Sequence, residues 1–271
     1  MRNYYTLINS MGSGAAAIDA DALAFITAAS ITDNTQKTAI NTLVTDLKSY
    51  NIWTKMKAIY PFVGGTATSH KYNLKDPRDL DAAYRLVFNG GWTHSSTGAL
   101  PNGTNAGADT KLVPSSVLTN NNTHVSFYSR TQSTSLNGMD IGCYDFTTEL
   151  GMSQYYNFHS SKIISMYEYP ANAAYINNTN TLGFQIGSRI SSNSLKLYFN
   201  NSLLNTNTTN NVKTQPTISL SIGASTRPVG FNQYSNRESA FASIGDGLTD
   251  AEAANFYTAV QTFNTTLNRQ V

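Results

Sequence analysis

One cysteine stands in 271 residues. A single thiol excludes an internal disulfide framework and any zinc site built on several thiolates. Cys143, in the stretch DIGCYDF, reads as a small buried apolar residue, because no cation-rich neighbourhood is there to activate it. Charge is also scarce. Asp, Glu, Lys and Arg make up 13% of the chain, about half the usual share, and the net charge is only +2. The 18 basic residues are scattered, which argues against a nucleic-acid groove, since phosphate binding needs clustered Lys and Arg. No apolar run approaches the roughly 18 residues that span a bilayer. The opening MRNYYTLINSMGSGAAAIDA has no apolar stretch after its single Arg, so a Sec-type signal peptide is not expected.

Motifs of catalysis and metal binding are missing as well. The four histidines, His70, His94, His124 and His159, form no H-x-x-x-H pair, and no C-x-x-C exists, so the spacing of a zinc site is absent. DGLTDAE contains Asp246, Asp250 and Glu252, but helix capping accounts for these acids better than calcium does. VGGTATSHK lacks the G-x-x-x-x-G-K-[ST] spacing that cradles phosphate. It reads instead as an ordered joint leading from helices into the first strand. G-x-S-x-G is absent. So is the E-x-D-x-x-E strand pattern that would set an acid and a nucleophile on one face for glycoside cleavage. The sequence calls for no cofactor, no metal and no enzyme activity.

What replaces the missing charge is Asn, Thr and Ser, with 18 Gly and 16 Tyr. These residues suit tight turns between short strands. With aromatic content at 11%, intrinsic disorder is excluded, and the length allows a large core in one or two domains.

The first quarter is helical in pattern. DADALAFITAAS carries acids in its first turn. Asp33 precedes Gln36 in a capping-box-like start, and Ile40, Leu43, Val44 and Leu47 then repeat at i, i+3, i+4 and i+7. The short loop between the segments predicts a helical hairpin. From about Ile59 the texture changes to short alternating segments bounded by turn residues. Strands are expected at Thr123–Thr131, Lys162–Tyr169, Leu182–Ser191, Ser194–Asn200, Thr217–Ser225 and Glu238–Gly245, with a hairpin at SSN. NNSLLNTNTTNNVKT is low in complexity and reads as an exposed loop or hairpin end. The chain closes with a helix. Thr249 and Glu252 form its capping box, and Phe256, Val260, Phe263 and Leu267 form one apolar stripe. The fold class expected is therefore mainly β: an antiparallel two-sheet sandwich or jelly roll with an N-terminal helical hairpin and a C-terminal helix.

Binding without cleavage needs only an aromatic platform and a few hydrogen-bonding side chains. Trp92, Tyr155, Tyr156 and Tyr234 lie in turn-rich surroundings and are the candidates for contacting a glycan. Half-buried packing at sheet edges is the alternative for each.

Taken together, FITAASITDNTQKTAINTLVTDLKSYNIWTKMKAIYPFVGGTATSHKYNLKDP, GFQIGSRISSNSLKLYFNN, SIGA and RESAFASIGDGLTDAEAANFYTAVQTFNTTLNRQV resemble tail, fibre and other virion proteins of tailed bacteriophages. That resemblance implies a helical lead-in, a concanavalin A-like (laminin-G-like) jelly roll and a short closing helix. It implies a division into residues 1–58, an attachment arm and helical hairpin, and residues 59–271, the sandwich with its closing helix. The expected role is a structural virion protein (tail, fibre or capsid-decorating) that also binds a host surface glycan. Expected partners are other virion proteins and copies of itself, a trimer among the options, with no nucleic acid and no membrane insertion. The expected location is the virion, after synthesis in the host cytoplasm. Two alternatives remain open: a phage-associated polysaccharide-degrading enzyme, and a free carbohydrate-binding protein.

Overall fold

The computed structural model describes residues 17–132, 138–155, 163–168, 172–177, 180–210 and 214–271. Helices α1 (Ala20–Ala28) and α2 (Asn34–Ser49) come first. Asp19 and Asp33 cap them, accepting from the backbone N–H of Asp21 and Gln36, which satisfies donors that a helix start leaves unpaired. The Gln36 side chain does not reach back to complete a capping box. Its Oε1 accepts from Gly64 N at 2.8 Å instead, tying the hairpin to the segment after the first strand. Lys48 reaches from α2 to Asp19 at 2.7 Å and Asp21 at 2.6 Å, fastening the start of α1 to the end of α2.

The remaining elements are β1 (Met56–Tyr60), α3 (Ala67–His70), β2 (Val87–Asn89), β3 (Trp92–Ser95), β4 (Gly98–Pro101), β5 (Gly107–Asp109), α4 (Pro114–Val117), β6 (Thr123–Ser129), β7 (Gly138–Tyr144), β8 (Glu149–Tyr155), β9 (Ile163–Glu168) and β10 (Asn172–Asn177). After these come β11 (Gly183–Ser191), β12 (Ser194–Phe199), β13 (Ser202–Asn207), β14 (Ser221–Ile222), β15 (Ser225–Arg227), β16 (Gly230–Asn232), β17 (Ser239–Gly245) and α5 (Asp250–Thr266).

Among the described residues the strands form two sheets. One runs β13-β12-β11-β6-β17-β4-β3, with β1 also paired to β17. The other runs β10-β9-β8-β7-β14-β5-β2, with β15 and β16 added alongside β7. All pairings are antiparallel except β15 with β7. This is the antiparallel two-sheet jelly roll expected from the strand pattern, of the concanavalin A-like kind that the resemblance implies, with helices before and after the strands.

The first sheet is buried on both faces. Val125, Phe127, Leu195, Leu197, Ala242 and Ile244 point toward the second sheet and meet Ile141, Cys143, Leu150 and Ile222. Their neighbours Tyr128, Phe184, Ile186, Tyr198 and Phe241 point the other way. They pack under Leu43, Leu47, Phe256, Val260 and Phe263 of the helical layer. Period-two alternation therefore serves two cores at once, and every residue of β6 and β17 is buried. The α5 stripe rests on both the sandwich and α2.

Three local expectations are corrected. The first strand, β1, begins at Met56, before the Gly64-Gly65 pair, so that pair leaves a strand rather than leading into the first one. The segment Thr217–Ser225 is no continuous strand: β14 and β15 are separated by a turn at Gly223, whose φ is +78°. The low-complexity NNSLLNTNTTNNVKT contains an edge strand, β13, paired to β12 over Leu195–Phe199. Composition alone hides it because Asn, Thr and Ser dominate the stretch and no residue of this edge strand is fully buried.

Arg269, third from the end, closes the fold. Its guanidinium is buried and donates to four acceptors: Asn264 Oδ1 at 2.8 Å, Phe62 O at 2.8 Å, Pro61 O at 2.6 Å and Ala240 O at 2.8 Å. Burial without a carboxylate partner pulls its pKa down to about 9.

Candidate functional site

The segment from β14 to β17 brings several buried and half-buried polar side chains against the second sheet. Its anchor is the ion pair between Arg237 and Asp140, both fully withdrawn from solvent, with Nε to Oδ1 at 2.5 Å. Ser235 Oγ donates to the same carboxylate oxygen at 2.9 Å, and Arg237 Nη2 donates to Gly138 O at 2.7 Å. Buried charge is tolerable only when paired and hydrogen-bonded in this way. The backbone N–H of Met139 donates to Gln233 O at 2.7 Å, and that of Ser235 to Gly223 O at 2.8 Å. Residues 233–237 are therefore held rigidly against β7.

On β7, Ile141 and Cys143 point into the inter-sheet core, so alternation turns Gly142 and Tyr144 to the outer face. Glu149 of β8 is the cross-strand partner of Tyr144 and shares that face. Arg227 of β15 lies over the Tyr144 ring, its Cζ 5.2 Å from the centroid, and its Nη2 donates to Gln233 Oε1 at 3.1 Å. Burial pushes the Glu149 carboxyl up to about 7, against the pull of the Arg227 charge. Three successive residues of β15 keep buried polar atoms with no hydrogen-bond partner: Ser225 Oγ, Thr226 Oγ1 and Arg227 Nε. Such atoms ordinarily find partners. Here all three atoms are closed off from solvent, so what a ligand can meet is the partly exposed remainder of the Arg227 and Tyr144 side chains.

Trp92 and Tyr234 are brought to this end of the fold, on either side of the Gly223 turn. Trp92 is half-buried. Its Nε1 donates to Asn89 O at 3.1 Å, and its ring lies so close to Gly223 that a Cβ there would meet it at 2.7 Å. Positive φ and this contact both require glycine. Phe88 meets Trp92 edge-on at 5.2 Å and His94 at 4.6 Å, while His94 Nδ1 lies 2.9 Å from His70 Nδ1. Tyr234 donates its hydroxyl to Phe231 O at 2.9 Å. Both rings are thus framework with one side showing. Tyr155 ends β8, and Tyr156 lies outside the described residues. Arg227, Tyr144 and Glu149 were not singled out from sequence. They sit on three separate strands, and only the fold brings them together.

Among the described residues, no group of three His, Cys, Asp or Glu is placed to hold a metal ion. Asp246, Asp250 and Glu252 do not converge on a cation. Each is taken by a lysine, Lys57 at 3.0 Å, Lys196 at 2.5 Å and Lys55 at 2.6 Å respectively. Among the described residues, one Ser–His contact stands out. His124 Nε2 stands 3.0 Å from Ser243 Oγ, but its Nδ1 faces the backbone carbonyl of Asp246 at 2.6 Å rather than a carboxylate. The pair is fully buried beneath Phe256, where no substrate reaches it. Cys143 is fully buried, and burial raises its thiol pKa well above the ordinary value, in keeping with an inert structural role.

No family model matches this chain, and no curated protein matches it. Solved structures do. A structure of botulinum neurotoxin type C, whose cell entry depends on interaction with two ganglioside molecules, aligns with a TM-score of 0.51 at 11% identity, over 79% of this chain and 53% of that one. Domain 4 of an extracellular GH43 arabinanase from Geobacillus stearothermophilus, in complex with arabinotriose, aligns at 0.47 and 13% identity, over 75% of this chain and 98% of that one. The CBM40 of the Ruminococcus gnavus IT-sialidase aligns at 0.37 and 12% identity, over 50% and 82% of the two chains. At such identities the likeness to the toxin structure establishes a shared fold. The fold is a concanavalin A-like jelly roll, and function has to be argued from the chain's own side chains.

Proposed function

We propose that this chain is a non-enzymatic glycan-binding protein, with its recognition surface centred on Arg227, Tyr144, Glu149 and Gln233. The carrying observation is the Arg227 guanidinium set over the Tyr144 ring, its Cζ 5.2 Å from the centroid, with its charge acting on the half-buried Glu149 carboxyl. A planar fork of donors fixed in this way matches carboxylate and vicinal-hydroxyl geometry. The neighbouring ring offers an apolar surface to a sugar face. Ganglioside and arabinotriose in the names of fold neighbours are in keeping with this reading, though the likeness carries only the fold.

The finer part of the proposal is a place on a bacteriophage particle. It rests on the sequence resemblance quoted above. In this arrangement residues 1–58 attach to other virion proteins, residues 59–271 face the host, and copies of the chain associate with one another. The tests separate the two levels. Glycan-array binding by the purified chain, without release of reducing ends from the bound polysaccharide, supports the first; cleavage of the bound polysaccharide overturns it. Mass spectrometry of purified particles tests the second: the chain is expected in intact virions, and its absence there leaves a free carbohydrate-binding protein.

A further inference from the structure

A second pocket lies on the opposite side of the first sheet, where the start of α5 overhangs β11, β12 and β13. Its volume is about 160 Å³, room for a single ring rather than a chain of them, set against the larger sites of drug-sized ligands. The floor is Phe184 and Ile186, both part of the core under the helices.

One wall is the face of α5 carrying Asp250, Ala254 and Tyr257, at the i, i+4 and i+7 spacing that lines up side chains on a helix. The other wall is the β12–β13 turn. Asn200 and Asn201 both take left-handed backbone there, with φ of 44° and 66°, as a tight hairpin requires. Their side chains have different fates. Asn200 is consumed by the fold: Oδ1 accepts from Phe184 N at 2.8 Å and Nδ2 donates to Leu182 O at 3.2 Å. Asn201 lines the pocket and is exposed, and its amide makes no hydrogen bond among the described residues.

Asp250 is pre-set in a similar way. Its Oδ1 accepts from Tyr198 OH at 2.7 Å and Lys196 Nζ at 2.5 Å. That fixes the carboxylate plane, and Oδ2 accepts nothing from the described residues. Leu203, 49% exposed on β13, completes the rim. The pocket thus offers an aromatic and aliphatic lining, one fixed acceptor and one free amide.

We infer that this pocket is a second saccharide subsite, selective for an uncharged pyranose ring. The apolar face of the sugar lies against Tyr257 and Leu203. One hydroxyl donates to Asp250 Oδ2, and a neighbouring one accepts from Asn201 Nδ2. The Asp250 charge repels an acidic sugar, whereas Arg227 on the far sheet favours one. Each pole of the sandwich is thereby assigned a different class of sugar. The inference rests on the glycan-binding reading and adds a site to it.

The test is saturation-transfer NMR on the full chain with the methyl glycosides of glucose, galactose and N-acetylglucosamine. Wild type is compared with Asn201→Gly, Tyr257→Ala and Arg227→Met, and circular dichroism verifies the fold of each. Asn201→Gly keeps a residue at ease in left-handed backbone while removing the amide. At least one glycoside is expected to bind, with affinity weakened about tenfold or more by Asn201→Gly and by Tyr257→Ala, a loss of about 1.4 kcal/mol; transfer lost in Arg227→Met instead would place the sugar at the first site and overturn the inference. Binding that ignores both pocket variants, or transfer from none of the three glycosides, overturns the inference. If the array with acidic glycans is positive at the same time, the glycan-binding reading survives it. If the array is also blank, both fall.

Discussion

Arg237 and Asp140 sit at the junction of β7 with the segment leading into β17, each with no exposed surface, joined through Nε and Oδ1. The pair fixes the loop that carries Gln233 and Tyr234, and so the height of Arg227 above Tyr144. Truncating one partner strands the other charge in the interior. Asp140→Ala is expected to cost about 3–5 kcal/mol. Replacing both residues by apolar ones of similar volume should recover much of that. Urea unfolding of the single and double variants measures the difference, and equal losses in the two would show that the pair is not the anchor.

Arg269 donates to three backbone carbonyls, those of Pro61, Phe62 and Ala240. Arg269→Ala removes those donors, at about 1–3 kcal/mol for each buried group left unsatisfied before relaxation admits water. A fall of about 2–4 kcal/mol in unfolding free energy is expected, read by thermal or urea denaturation. Hydrogen exchange should quicken first along β1 and the end of α5.

His124 is buried neutral, and burial depresses its pKa from 6.5 to about 4. The unfolded chain therefore binds more protons between those values. Stability from this group is complete above about pH 6.5 and is lost as pH falls through 4. At about 1.4 kcal/mol per pKa unit, the group carries about 3 kcal/mol across that window. The pH slope of the urea midpoint between 4 and 6.5 should flatten in His124→Gln relative to wild type. Parallel slopes would contradict the assignment.

Glu149 works with the opposite sign. Its folded pKa is raised from 4.5 to about 7, so the folded chain binds the extra proton in between. Stability from this group is present below about 4.5 and falls away as pH rises toward 7. Glu149→Gln keeps the shape without the charge. It is expected to be more stable than wild type at pH 8 and equal to it near pH 4.5, as melting temperatures at the two pH values will read. Because Glu149 adjoins Arg227, the same variant also bears on recognition of acidic ligands.

Much of the fold was legible in the sequence. The capping box of Thr249 and Glu252 and the stripe Phe256, Val260, Phe263 are one helix with one buried face. THVSFYS and SAFASIG are paired central strands. What stayed hidden has physical reasons. Ser126, Ser243 and His124 look like outward-facing polar positions, yet they lie under the helical layer, linked to one another by hydrogen bonds. Their mutual satisfaction lets a polar face be buried. Arg269 looks like a tail residue, because the carbonyls that bind it are remote in sequence. The site was least legible of all. Trp92 and Tyr234 stood out by residue type, and the fold gives their polar atoms backbone partners. Arg227, Tyr144 and Glu149 converge only through the β7–β8 register and the β15 crossover, and no periodic pattern announces that.

The most direct test is a glycan array probed with the wild-type chain and with Arg227→Met at equal concentration, followed by a reducing-end assay on any polysaccharide bound. The expected result is binding to a discrete set of acidic glycans, lost in Arg227→Met while its melting temperature is retained, and no release of reducing ends. An array blank for the wild type, binding indifferent to Arg227, or measurable cleavage of the bound glycan would contradict it.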